Sequence, residues 1–109
     1  MKNPCVYILA SAHLGTLYIG VTSDIFRRIS LHKQDLYDGF TKTYGVHRLV
    51  YYEFHSTMRD AIAREKRLKF WKRAWKIDLI EGMNPEWCDL FDFATNTLHD
   101  GPADVARGF

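Results

Sequence analysis

Two tyrosines, an arginine and a histidine stand close together early in the chain: Tyr7, Tyr18, Arg28 and His32. Phenol, guanidinium and imidazole groups are the parts needed to attack a phosphodiester. One activates water, one meets the charge on phosphorus, and one orients either. A phenol ionises only near pH ~10, so its use as a base calls for a nearby cation or metal. Glu65 is the only acid among the basic residues of 64–76 and is a candidate ligand for a divalent ion. Each group also has a plainer reading. Strand tyrosines pack their rings as a matter of course. Arg28 and His32 can be a surface pair, His32 by itself fits better a partly buried, hydrogen-bonded histidine, and Glu65 can form a structural salt bridge with Arg28 or Lys69.

The elements that must position these groups follow from pattern. Pro4 to Ala10 and Thr16 to Thr22 are β-branched and aromatic, and read as strands. A short hairpin at Ser11 to Gly15 joins them. With a loop of residues 11–14, Ala10 pairs with Gly15 and Tyr7 lies directly opposite Tyr18 on one face. Gly20, on that same face, leaves room for a close approach. Thr22-Ser23-Asp24 offers N-cap chemistry for a helix from about Asp24 to Gln34. Ile25, Phe26 and Ile29 mark its buried stripe. Arg28 and His32 lie beside that stripe, and Arg27 points to solvent.

Residues 35–45 are polar and turn-rich, with room for a short helix. They form a candidate substrate loop carrying Lys42 and Tyr44. Arg48 to Phe54 is a third strand. A helix from Thr57 to about Phe70, capped by Ser56 or Thr57, leads into a second one ending near Glu81 at Gly82. On the first of these Glu65 shares a mostly apolar face with Ala61, Ile62, Leu68 and Lys69, while Arg64, Lys66 and Arg67 fan outward. A carboxylate on an apolar face needs a partner. Trp71 and Trp75 are expected in the core, with base stacking by an exposed indole as the alternative. Beyond Asn96 the periodicity fades, so residues 1–95 are expected to form one domain and 96–109 a mobile tail.

Length and composition fit that single domain. The 109 residues are 47% hydrophobic and 26% charged, ordinary globular material. No apolar run approaches the roughly 20 residues of a membrane span. The N-terminus lacks a signal-peptide pattern. Cys5 and Cys88 share no metal-binding spacing, and two scattered cysteines fit a reducing cytoplasm. The net charge of +2 conceals a basic body up to residue 77 and an acidic remainder. That asymmetry favours a polyanionic partner for the body.

Taken together, Val6-Tyr7, Tyr18-Ile19-Gly20, Arg28, His32, Glu65 and Asn84 resemble the GIY-YIG nuclease superfamily. Val50 to Glu53, the basic helical stretch and Asn84 to Leu90 are similar to its small single-domain bacterial branch. The resemblance spans about residues 3–90, with Cys5 replacing the first glycine of the name motif. It implies an α+β fold, a three-stranded antiparallel sheet flanked by helices. It also implies metal-dependent DNA cleavage. Carried over, Tyr7 is the general base, helped by Tyr18. Arg28 stabilises the transition state, His32 orients Tyr7 or a phosphate, Glu65 binds Mg²⁺ or Mn²⁺, and Asn84 hydrogen-bonds near the site. Lys42, Arg64, Arg67, Lys69 and Lys72 are the expected nucleic-acid contacts.

Three functions compete: a structure-selective endonuclease for repair or recombination, a catalytically weak nucleic-acid-binding module of the same fold, and a protein-interaction domain using residues 78–109. The complete Tyr7, Tyr18, Arg28 and Glu65 set favours the first, because a binder needs neither paired phenols nor an inward glutamate. The absence of an added groove-reading element favours single-stranded or branched DNA over specific duplex sites.

Overall fold

A computed structural model describes residues 3–34 and 39–99. The first hairpin consists of β1 (Cys5–Ala10) and β2 (Leu17–Thr22), paired antiparallel. The loop is longer than the sequence pattern implied. Ala10 pairs with Leu17, which places Tyr7 opposite Gly20 and Tyr18 opposite Leu9. The cause is local. Ser11 N–H donates to the Thr16 carbonyl at 3.0 Å, and the Ser11 hydroxyl accepts from Thr16 N–H at 2.9 Å. Inside this clasp Gly15 N–H bonds the Ala12 carbonyl, with Leu14 at φ 58°. A Cβ on Gly15 would sit 2.3 Å from the Ser11 hydroxyl oxygen, so only glycine closes the turn. The register moves by two residues. Parity is kept, so the two tyrosines still share a face.

Strand β3 (Arg48–Phe54) pairs with the other side of β1, giving the order β2-β1-β3. This is the expected α+β architecture, with helices on both faces. Helix α1 (Ile25–Lys33) is capped by Asp24, whose carboxylate accepts from Arg27 N–H, and it buries Ile25, Ile29 and His32. Helix α2 (Gly39–Tyr44) is short and buries Thr41. Of the candidate substrate loop, residues 35–38 lie outside the described residues. Helix α3 (Met58–Phe70) is capped by Thr57, and α4 (Arg73–Met83) follows. Gly82 does not end α4. The helix runs through it to a cap at Asn84.

Each face of the sheet has its own core. Tyr7, Leu9, Ile25, Ile29, Leu49 and Tyr52 pack on the α1 side. Val6, Ile8, Ile19, Ala61, Leu68, Ile80 and Trp87 pack on the side of α3 and α4. The two edges of the sheet differ. Along β3, Leu90 N–H bonds the Leu49 carbonyl, and the Asp89 carboxylate accepts from Leu49 N–H, so the closing segment covers that edge.

Two sequence expectations change here. Trp71 is half-buried against the second core, but Trp75 is 51% exposed and Phe70 90%. Trp71 caps α3 in extended conformation, so the four-residue helical spacing does not carry across the break to Trp75. Nor does order stop at Asn96. A small hairpin pairs β4 (Phe91–Asp92) with β5 (Thr97–Leu98), and Tyr52 Oη donates to the His99 carbonyl. The rest of the proposed tail, residues 100–109, lies outside the described residues.

Candidate active site at the open edge of the sheet

The glycine opposite Tyr7 decides the geometry. A Cβ on Gly20 would lie 2.4 Å from both Cζ and Oη of Tyr7. With no Cβ there, the phenol of β1 lies over Gly20 of β2, its hydroxyl against that residue. There Tyr7 Oη meets His32 Nε2 at 3.0 Å, and His32 Nδ1 meets Thr41 Oγ1 at 3.3 Å. All three residues are buried. The polar atoms form one chain running from strand to helix to helix, as burial demands.

Tyr18 packs on this chain from outside. Its ring lies 6.4 Å from that of Tyr7 and 5.4 Å from that of His32. Phe40 stacks on Tyr18 at 6.0 Å and on Tyr44 at 4.8 Å. Tyr18 and Phe40, with Leu17, Ile19, Lys69 and Lys76, line a groove of about 290 Å³. Leu17 and Ile19 belong to the α3 face and Tyr18 to the α1 face. The groove therefore wraps the outer edge of β2. Arg28 is fixed at the same edge, donating from Nη1 to the Val21 carbonyl at 3.3 Å, while Arg27 is exposed. The helix phase read from the sequence thus separates the two arginines as expected.

Glu65 approaches from the other face. Its side chain is 12% exposed, and Oε2 lies 2.8 Å from Lys69 Nζ. Lys69 is the link to the groove, since it lines the groove beside Tyr18. No group of three or more His, Cys, Asp or Glu that could hold a metal occurs among the described residues. A single carboxylate with a half-exposed neighbour does not suit zinc, which takes three or four protein ligands. It does suit Mg²⁺ or Mn²⁺, hard ions that keep several waters and accept substrate phosphate oxygens.

The remaining expected residues separate. Asn84 is not brought to this groove. It is fully buried, and its Nδ2 donates to the Val50 and Cys88 carbonyls while Oδ1 accepts from Cys88 N–H. It ties the closing segment to β3, the strand farthest from β2. Arg64 does not fan outward. Its guanidinium donates to both Glu53 oxygens at 3.0 and 3.2 Å and lies 5.3 Å from the Trp71 ring centre. Lys42, Arg67, Lys69 and Lys72 are exposed, and Lys72 lies over the Trp75 ring.

Thr41, Phe40 and Lys76 also belong to the site, and sequence reasoning passed over them. Phe40 and Thr41 sit in a polar loop with no periodic signal. Lys76 was one lysine in a basic run. Arg73 was likewise hidden there, yet it clamps the β1–β2 loop by donating to the Leu14 and Gly15 carbonyls. Both cysteines are free. Burial pushes the Cys5 thiol up to about 12, so it is inert at neutral pH.

Comparison with known proteins identifies the family. Residues 3–78 match the GIY-YIG catalytic domain model. A UPF0213 protein of Bacillus pumilus is 34% identical over 84 residues, covering 77% of this chain and 85% of the relative. One of Staphylococcus aureus is 32% identical over 81 residues, covering 74% and 98% respectively. The solution NMR structure of a UPF0213 protein from Bacillus halodurans is 32% identical, covers 72% of this chain and 83% of its own, and superposes with a TM-score of 0.46. Proteins with this catalytic domain are generally endonucleases that act on DNA and typically use divalent metals. The chain belongs to the GIY-YIG family, within its small single-domain bacterial branch.

Proposed function

We propose that this protein is a divalent-metal-dependent endonuclease that hydrolyses DNA phosphodiester bonds, acting on single-stranded or branched DNA during repair or recombination. The observation that carries this reading is the buried Tyr7–His32–Thr41 chain, packed beneath Tyr18, which lines a groove together with Lys69. With a proton on His32 Nδ1, that N–H donates to Thr41 Oγ1 and leaves Nε2 free to accept from Tyr7 Oη. Tyr7 can then take a proton from the attacking water while passing its own to His32. The phenol need not ionise fully, which removes the main obstacle to its use as a base at neutral pH.

Tyr7 is completely buried in the free protein. Tyr18 packs against Tyr7 and His32 and lines the groove, so a shift of Tyr18 as substrate binds would open Tyr7 to the attacking water. Arg28, at the β2 edge, meets the charge that builds on phosphorus. Glu65 would hold Mg²⁺ or Mn²⁺, which when bound polarises the phosphoryl group and neutralises charge. Lys69, Lys76 and Lys42 would contact phosphates. Phe40 and Tyr44, 42% and 57% exposed, offer rings to unpaired bases, which supports the preference for unpaired strands.

The test is a cleavage panel of single-stranded, branched and duplex DNA with Mg²⁺ or Mn²⁺, run with Tyr7→Phe alongside. We expect cutting of the unpaired substrates by the wild type. Tyr7→Phe should bind DNA normally and fail to cut. Binding without cleavage by the wild type would support the binding-module reading instead.

A further inference from the structure

Lys69 has two neighbourhoods at once. Its ammonium is paired with Glu65 at 2.8 Å, and the residue lines the groove with Tyr18, Phe40 and Lys76. The two ends of that pair differ in freedom. The Glu65 side chain is 12% exposed and held on the face that buries Ala61 and Leu68, whereas the Lys69 side chain is 53% exposed. A buried carboxylate must have a counter-charge, and the four-residue helical spacing supplies one. Lys76 Nζ donates to the Lys69 carbonyl at 3.3 Å, so the two groove lysines meet through the Lys69 backbone and not through its ammonium.

We propose that Lys69 is a built-in counter-ion that occupies the metal position of Glu65 and leaves it for a substrate phosphate, so that metal and DNA bind cooperatively. This rests on the reading of Glu65 as a metal ligand. A divalent ion on Glu65 would meet the ammonium at a few ångströms, where like charges repel strongly. Lys69 must then turn away. Lys69 also lines the groove, and a phosphate bound there is the anion that would receive its ammonium. Metal binding in the free protein is therefore held weak. DNA relieves the competition by giving Lys69 another partner, and by linkage the metal strengthens DNA binding by the same factor.

The test is Mn²⁺ affinity of the full chain, read from the paramagnetic signal of free Mn²⁺. It is measured at low ionic strength, with and without a cleavage-resistant phosphorothioate single strand. Wild type is compared with Lys69→Met, Lys69→Arg and Glu65→Ala. Without the oligonucleotide, Lys69→Met should bind Mn²⁺ about tenfold more tightly than wild type. It should also gain less on adding the oligonucleotide. Lys69→Arg should bind Mn²⁺ more weakly than wild type, because a guanidinium can grip both carboxylate oxygens. Unchanged or weaker affinity in a folded Lys69→Met protein overturns the proposal. If that variant does not fold, Lys69→Arg decides, and equal or tighter binding overturns it. Equal Mn²⁺ affinity in wild type and Glu65→Ala would instead refute Glu65 as the ligand, and the function reading with it.

Discussion

Two partly buried glutamates, Glu53 on β3 and Glu65 on α3, look alike in isolation and differ in their partners. Glu53 accepts from Tyr51 Oη, from His55 Nε2 and twice from Arg64. Burial alone would raise its carboxyl, but those hydrogen bonds together hold it below the usual range. Arg64 is raised in return, and burial followed by Glu53 pushes the Tyr51 phenol well up, so both remain donors. Among the described residues Glu65 pairs with Lys69 alone, whose side chain is half-exposed. A saturated carboxylate belongs to the framework, and one with a single replaceable partner can take a ligand. Burial alone does not tell them apart. The number and freedom of the donors does.

The largest test of that contrast is in turnover. Glu65→Ala should lower metal-dependent cleavage by at least about 10²-fold, the equivalent of several kcal/mol of lost charge stabilisation. Glu53→Gln should leave it within about threefold, since the geometry puts Glu53 outside the groove. Similar losses in the two variants would erase the distinction.

Stability should rank them the other way. Glu53→Gln leaves Arg64 half-buried with its ion pair broken and should lose about 2–4 kcal/mol in denaturant unfolding. Glu65→Ala removes a pair with an exposed partner and should lose about 1 kcal/mol or less. A Glu65→Ala protein that melted as easily as Glu53→Gln would mean that Glu65 is structural too.

Acid should sharpen the same ranking. A carboxyl held lower in the folded than in the unfolded chain adds stability above its unfolded value of about 4.5. That stability is lost as pH falls through the lower folded value. The gap in unfolding free energy between wild type and Glu53→Gln should thus be full at pH 7 and close below about pH 4.5. A gap independent of pH would place the effect in packing, not charge.

The smallest effect concerns two arginines three residues apart. Arg67→Ala should reduce the salt dependence of DNA binding by a log–log slope of about 1 and leave the melting temperature alone. Arg64→Ala should lower the melting temperature and leave that slope unchanged. Equal slopes lost by both would return Arg64 to the DNA surface.

Much of this was legible beforehand. Strand β3 and the Thr57 cap of α3 fall where residue type put them, because β-branched runs and capping oxygens act locally. The helix phase set Arg28 toward the sheet and Arg27 away from it, since a 3.6-residue period needs no tertiary information. Glu65 was legible as an anomaly, a charge on an apolar stripe. What misled was punctuation. Ser11 and Gly15 close a loop two residues longer than a simple hairpin count gives, and α3 breaks at Trp71, so Trp75 faces solvent instead of the core. The β4–β5 hairpin gave no signal because strands of two residues have no period.

Residue type and local spacing by themselves determined the main strands, the long helices and the list of groups able to do chemistry. Tertiary structure alone decided which of those groups meet. It laid Tyr7 across Gly20 onto His32 and brought in Thr41. It sent Asn84 to the far edge of the sheet and gave Arg64 to Glu53. The physical reason is that hydrogen bonds and ion pairs between elements depend on register and packing over long sequence separations. A two-residue slip in one hairpin is enough to change the partner of a tyrosine without changing the face it occupies.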